Sequence, residues 1–339
     1  MSTDYDNASI GDLIDDFVIQ EITFNEVIKI NKNKIEKLIF ECAKRIRNKN
    51  KIFFVGSGTS GRLGMIESAE IYPTFGDKTY IGIIAGGESA MTKSIEGSED
   101  SLNEGIDQLN LHKLNSEDLV IGISTSGTTP FTIATLNKCK SKKIKTCLIS
   151  NKSQNDYDIN IQLGVQKEKI LGSTRMLSGT LTKQLLNMIT TISMIKSGKT
   201  YKNYMVNVKP LNKKLIKRSI DIISKITNTN ERDAEILFKK SNYQIKHAIV
   251  MNVKKLDYEN AKKLLKDNDG FLNKIIWIMK KINVIGLMTG TSCDGMDLCL
   301  IECYLSDGIP IGKIIKTKYV KYSEDFSKSL LKLNISPIK

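Results

Sequence analysis

The chain has 339 residues, enough to bury a large core and to form more than one domain. Its formal net charge is +14, but the excess is mostly Lys scattered along helix-like segments, with short clusters only at Arg45-Ile46-Arg47 and Lys142-Lys143. A solvated basic surface is therefore the expectation, with no nucleic-acid partner and no membrane, since no apolar run approaches about 18 residues.

The opening Met1–Asp6 is acidic and polar, unlike a signal peptide. The six cysteines include no CxxC pair and no framework spacing, which fits a reducing cytoplasm. His112 and His247 are isolated, so no metal site is expected.

In chain order, residues 1–48 read as a helical segment, with apolar positions at helical spacing through Leu13, Ile14, Phe17, Val18 and again Ile35, Leu38, Ile39. Residues 49–209 alternate strands and helices. The candidate strands are Ile52–Val55, Tyr80–Ala85, Leu119–Ser124 and Lys145–Ser150, with Thr132–Cys139 as a crossover helix. The pattern predicts an α/β fold, a parallel sheet with helices on both faces. A long helix follows around Leu181–Lys196, and residues 210–279 read as a small all-helical domain. From 280 to 339 the pattern changes to strands at Val284–Leu287, Leu298–Tyr304 and Ile314–Val320, with a turn at Asp307-Gly308. This last segment is expected to be an incomplete β-rich domain.

Two loops carry chemistry. The first strand runs into Gly56-Ser57-Gly58-Thr59-Ser60-Gly61-Arg62-Leu63-Gly64 and then a helix. Free amides and the helix dipole at such a turn favour an anion. The segment matches GxGxxG, and Glu88 could serve a dinucleotide reader as its acidic residue. Ser57, Thr59 and Ser60 instead suit a terminal phosphate with several free oxygens. A second loop, Ser124-Thr125-Ser126-Gly127-Thr128-Thr129-Pro130, again follows a strand and precedes a helix, so both would converge on one ligand at the sheet's crevice. Each loop alone could equally be a strand-to-helix turn with N-capping hydroxyls.

The paired loops resemble the sugar-isomerase (SIS) phosphosugar-binding fold. The longer wording resembles the N-acetylmuramic acid 6-phosphate etherases: Gly58–Gly64, Ser68-Ala69-Glu70, Pro73–Gly76, Ile84–Glu88, Glu96–Asp100, Gly172–Met176, Ser178–Thr180 and Met194–Lys199. The resemblance covers roughly residues 5–275. It departs from the family at Ile71-Tyr72-Pro73, where Cys-Pro-Pro is usual, and at Thr128, where an Arg is usual. Residues Ile285–Asp297 resemble the opening of a different family, the actin-like anhydro-N-acetylmuramic acid kinases, through the turn Gly290-Thr291-Ser292.

The etherase resemblance implies cleavage of a lactyl ether at C3 of N-acetylmuramic acid 6-phosphate by elimination and hydration, with no cofactor. It implies Glu70 as the acid to the lactyl oxygen and Glu99 as the base at C2. Ser57, Gly58, Thr59, Ser60, Gly61, Ser124, Ser126, Gly127 and Thr129 would hold the phosphosugar. Glu88 stands between a third acid at the ligand and a helix cap, and Arg62 and Arg175 between ligand contacts and ion pairs within the fold. The small or apolar neighbours Ala69, Ile71 and Tyr72 predict a Glu70 carboxyl raised above its ordinary range, toward one useful to an acid. By spacing alone, Glu67/Glu70 and Glu96/Glu99 are equally the i,i+3 pairs of solvated helix faces. A homodimer is implied by the family only. A non-catalytic phosphosugar sensor and an aldose–ketose isomerase are the competing functions. The first has no need of both carboxyls, and neither releases lactate.

Overall fold

The computed structural model describes residues 5–19, 22–153, 155–276, 282–306 and 309–333. The chain divides into two units, Met1–Ile275 and Ile276–Lys339.

In the first unit, α1 (Ile10–Val18) and α2 (Phe24–Asn48) precede a β/α series. The series runs β1 (Ile52–Gly56), α3 (Gly58–Phe75), β2 (Tyr80–Ile84), α4 (Glu104–Leu111), β3 (Leu119–Ile123), α5 (Pro130–Ser141), β4 (Lys145–Ser150), β5 (Ile159–Gln162) and α6 (Leu177–Ile195). The five strands form one parallel sheet in the order β2-β1-β3-β4-β5. The four strands expected from sequence are present, with ends shifted by a residue or less. Alternate residues of each strand feed opposite cores, as the pleat requires. Ile52, Phe54, Leu119, Ile121, Cys147 and Ile149 join the core under α2, α3 and α6. Phe53, Val55, Val120 and Leu148 join the core under α4 and α5, with Leu109, Phe131 and Leu136. The result is helices on both faces of a parallel sheet.

The edge strand β5 was not anticipated: its four residues are too few to announce themselves by pattern. Its outer edge is covered by α2, where the buried Asn31 side chain donates to Gln162 O at 2.6 Å and accepts from Gln162 N at 2.9 Å. A capping box at Thr23/Glu26 starts α2.

Residues beyond α6 form α7 (Lys213–Thr227), α8 (Glu231–Lys240), α9 (Ile245–Lys254), α10 (Tyr258–Asp267) and α11 (Leu272–Ile275). Asn212, Asn230 and Asp257 cap α7, α8 and α10.

The second unit has β6 (Ile282–Thr289), β7 (Gly295–Ser306) and β8 (Ile309–Lys321) in an antiparallel sheet, then α12 (Glu324–Leu333). Its strands are longer than the sequence pattern indicates. The Asp307-Gly308 turn expected there, and the 279/280 boundary, lie outside the described residues.

Candidate active site

The connection from β1 leads to β2 on one side of the sheet, and β3 lies on the other. The carboxyl ends of β1 and β3 are therefore a topological switch point, where open parallel sheets bind ligands. Gly56 and Ile123 are register partners there, so the loops that follow them start side by side.

The first loop is tight. Gly58 adopts φ +52, and a Cβ on Gly61 would fall 2.5 Å from Gly56 O and 2.6 Å from Ile84 Cγ1. Only glycine lets α3 begin this close to the sheet. Gly58, Thr59 and Ser60 supply the first amides of α3, which have no intrahelical acceptor. Ser57 occupies the N-cap position but makes no capping bond, and its Oγ is buried without a hydrogen-bond partner. By contrast, Ser9 and Thr23 close α1 and α2 with their side chains. A buried hydroxyl beside unpaired amides is costly unless a ligand completes it.

The second loop is organised by its own hydroxyls. Ser124 Oγ lies 2.9 Å from Thr129 Oγ1 and accepts from Thr129 N at 3.4 Å. Ser126 Oγ accepts from Thr128 N at 3.2 Å and from Thr128 Oγ1 at 3.1 Å. Gly127 turns the chain with φ +72. Thr128, standing where the family's Arg is usual, thus completes the loop's internal bonding. Thr129, the N-cap residue of α5, makes no side-chain capping bond.

A third helix end joins the pair. Asn151, just past β4, donates from its amide N to Thr125 O at 2.9 Å and from Nδ2 to Ser178 Oγ at 3.0 Å. The start of α6 also approaches the first loop: a Cβ on Gly179 would lie 3.6 Å from Thr59 Cγ2. The buried Glu168 carboxylate accepts from Leu177 N at 3.0 Å and Ser178 N at 2.9 Å, closing this helix end. Neither Asn151 nor Glu168 stood out in the sequence, since a long-range cap has no local signature.

The carboxylates separate into two places. Glu88 lies in a 3-10 turn (Glu88–Met91) and Glu99 in another (Ser98–Asp100), both exposed in the connection that leaves the carboxyl end of β2. The second turn packs against α5. Arg62 secures this connection by donating to Met91 O at 3.3 Å and Lys93 O at 2.9 Å. Within the chain it braces a loop, with backbone carbonyls as partners.

Glu70 lies elsewhere. It is twelve residues past Gly58 on α3, about 18 Å along the axis at 1.5 Å per residue. Its side chain is 63% exposed, with Lys183 Nζ 3.7 Å from Oε2. The apolar setting expected from Ala69, Ile71 and Tyr72 is not formed around it. Ile71 turns into the core while Ile66, Ala69, Glu70 and Pro73 face solvent, because sequence neighbours on a helix point in different directions. Glu67, one turn earlier, is the buried member of the pair. Its carboxylate accepts from Lys183 Nζ at 2.7 Å, Asn187 Nδ2 at 2.5 Å and Thr190 Oγ1 at 2.6 Å.

Arg175 is exposed in the loop before α6 and lines a cavity of about 910 Å³ with Asp16 and Phe17 of α1 and with Lys169. Lys169 and Tyr5 bond the Asp16 carboxyl and hold it below the usual range. The phosphate-loop residues are absent from that lining. The single chain thus brings together both loops and the start of α6, with Glu88 and Glu99 leaving the same edge of the sheet. Glu70 stands apart. Among the described residues no group of three His, Cys, Asp or Glu could hold a metal ion, and no helix is long and apolar enough to cross a membrane.

This arrangement has relatives. A family profile described as glucokinase regulatory protein N-terminal SIS domain matches residues 34–140, and the SIS domain profile matches residues 101–188. N-acetylmuramic acid 6-phosphate etherase from Francisella tularensis subsp. holarctica (strain LVS) is 38% identical over 277 residues, covering 80% of this chain and 94% of that protein. The chain belongs to the N-acetylmuramic acid 6-phosphate etherase family. An etherase of the same name from Mycoplasma mycoides subsp. mycoides SC is 39% identical over 283 residues, 81% of this chain and 93% of its own length. That from Staphylococcus epidermidis is 41% identical over 248 residues, 71% of this chain and 84% of its own. The SIS profiles end at residue 188, well before the Gly290-Thr291-Ser292 turn, so the kinase-like reading of that turn gains nothing from them.

Proposed function

We propose that this chain is a carbon–oxygen lyase that cleaves the D-lactyl ether of N-acetylmuramic acid 6-phosphate, giving N-acetylglucosamine 6-phosphate and D-lactate, in the recycling or catabolism of cell-wall amino sugars in the cytoplasm. The observation that carries the reading is the crevice at β1 and β3, where a buried unpartnered Ser57 hydroxyl meets uncapped helix amides, in a chain of etherase ancestry.

The phosphate docks on the amides of Gly58, Thr59 and Ser60 and the hydroxyls of Ser57, Thr59, Ser60, Ser124, Ser126 and Thr129. Gly61 lets the helix start close to the sheet, and Gly127 lets the second loop close around the ligand. Opening the sugar to its aldehyde makes the C2 hydrogen acidic, since it lies alpha to the carbonyl. Glu99 takes that proton. The electron pair forms the C2–C3 double bond as the C3–O bond breaks, and Glu70 gives its proton to the departing lactyl oxygen. Water then adds at C3, its proton returning to Glu70, and C2 is reprotonated. Each carboxyl ends the cycle in the state in which it began.

Glu70 reaches this chemistry from a second copy of the chain. A span of about 18 Å along α3 is longer than a hexose 6-phosphate, so the loops and Glu70 of one chain do not share one sugar. The solvent-facing Ile66, Ala69 and Pro73 beside Glu70 support a homodimer packed along α3.

The test is a product assay. The purified chain should release lactate from N-acetylmuramic acid 6-phosphate, and in deuterated water the amino-sugar product should carry deuterium at C2. Phosphosugar binding without lactate release would favour a sensor. Ether cleavage with the original C2 hydrogen fully retained would sink the elimination route.

A further inference from the structure

The mechanism above leaves unused a buried charge cluster between α3 and α6. Glu67 is 2% exposed, a placement that a carboxylate tolerates only when its oxygens are satisfied. They are. Lys183, Asn187 and Thr190, spaced i, i+4 and i+7, share one face of α6, and all three donate to Glu67. Two neutral donors and helix packing would suffice to fix α3 on α6. The third donor is a full charge, and its position is informative: the Lys183 ammonium lies 2.7 Å from Glu67 Oε2 and 3.7 Å from Glu70 Oε2, between the two carboxylates.

From this geometry we infer that Lys183 is the positioning residue of Glu70. Clamped by buried Glu67, it aims the Glu70 carboxyl and stabilises the carboxylate that Glu70 becomes on giving its proton to the lactyl oxygen. The inference rests on the assignment of Glu70 as the acid. A lysine tethered only to Glu70 on the surface would be worth little, because holding two long side chains together costs entropy. Here Glu67 fixes the ammonium in advance. The interaction strengthens as the proton leaves, so it acts on the transition state more than on bound substrate.

No other charge in the chain competes for Glu70 within ion-pair distance among the described residues. Of the elements packed on α3, β1 and β3 carry no titratable side chain, and Lys183 is the one such group on α6. On β2 the one such group is Tyr80, bonded to Ser193 in the core. The 3-10 turn at Glu88–Met91 carries Glu88, and it is tied to Arg62 about two turns nearer the helix start.

Kinetics on four single variants test this. Glu70→Gln is the reference and should abolish lactate release. Lys183→Met should lower kcat roughly fivefold or more with KM little changed. It should also move the alkaline limb of the kcat profile, which reports the form that must carry the proton, upward. Glu67→Gln should move that limb down, because the ammonium then has Glu70 alone to neutralise it. On an analogue with a C3 halide, which leaves without protonation, Lys183→Met should be within about twofold of the parent chain. Lys183→Arg should recover most of the loss. If Lys183→Met proves unstable because Glu67 is left unpaired, the double variant Glu67→Gln/Lys183→Met removes the half-buried ammonium together with the buried carboxylate and should show the upward shift. An unmoved limb in both Lys183→Met and Glu67→Gln, with equal losses on ether and halide, overturns the inference and leaves Lys183 a packing residue. Lactate release by Glu70→Gln overturns the acid assignment instead.

Discussion

Gly56 and Ile123 are register partners at the carboxyl ends of β1 and β3, and the two hydroxyl-rich loops of the crevice start side by side from that pairing. One side leads to an uncapped α3 and the other to a hydroxyl-closed turn before α5. The chemistry depends on what each loop leaves unsatisfied.

Ser57→Ala separates binding from folding. Ser57 Oγ is buried without a partner, so its loss removes no bond within the chain. Unfolding midpoints should be unchanged or slightly raised. kcat/KM for the phosphosugar should fall by about one to two orders of magnitude, the worth of a hydrogen bond to a charged group. A Ser57→Ala chain with full activity would take the phosphate off this loop.

Mixing two impaired variants tests where Glu70 acts. Ser57→Ala removes a loop contact and Glu70→Ala removes the acid. In a mixed dimer with shared sites, one site carries both defects and the other carries neither. Co-refolded variants should recover up to about a quarter of parental activity for random pairing. Recovery no greater than the sum of the two variants alone would place both residues in one chain's site.

Isotope exchange distinguishes the two glutamates. Glu70→Ala should still exchange the C2 hydrogen with solvent, because forming the enolate does not require lactate to depart. Glu99→Gln should lose both exchange and elimination, since the amide keeps the shape but accepts no proton. Normal exchange in Glu99→Gln would reverse the two roles.

Gly61→Ala should destabilise the first unit. The added methyl meets the backbone carbonyl of Gly56 at 2.5 Å, and backbone cannot step aside as a side-chain tip can. A loss of about 1–3 kcal/mol in denaturant unfolding is expected, with kcat/KM falling as the amides shift. Parental stability would show that α3 can slide outward without penalty.

Lys246 gives a pH signature. Burial, reinforced by Lys199 and Lys209, pushes its ammonium down to about 8 in the folded chain from 10.5. Between those values the unfolded chain binds the extra proton, so this group's contribution to stability rises with pH across the window. Its penalty is full below about 8. Lys246→Met should therefore gain most over the parent near pH 7, and the gap should close as pH approaches 10. A pH-independent gap would mean that the bond to Gly270 O at 2.9 Å, and not the charge, sets the difference.

Sequence made most of the sheet readable, because Ile52–Val55 and Leu119–Ile123 are apolar runs ending in Gly and Ser, a local signal. The loops were readable for the same reason. What escaped were relations across helices. Ile71 beside Glu70 suggested an apolar pocket, yet the helical turn sends one inward and the other outward. Glu67 looked like half of a solvated pair until α6 supplied three donors more than a hundred residues away. Arg62 looked equally suited to a ligand or an ion pair, and its partners proved to be two carbonyls of a loop with no charge to announce them.

The amide of Asn31 meets both backbone groups of Gln162, as a neighbouring strand would. An edge strand with free peptide groups invites another polypeptide to extend the sheet, which is a common route to unwanted aggregation. One side chain from α2 occupies that docking position at the end of β5. Hydrolysis of the amide to a carboxylate would turn the donor into an acceptor facing Gln162 O. A single carboxylate at position 31 would thus leave one carbonyl at the rim of the sheet without its donor.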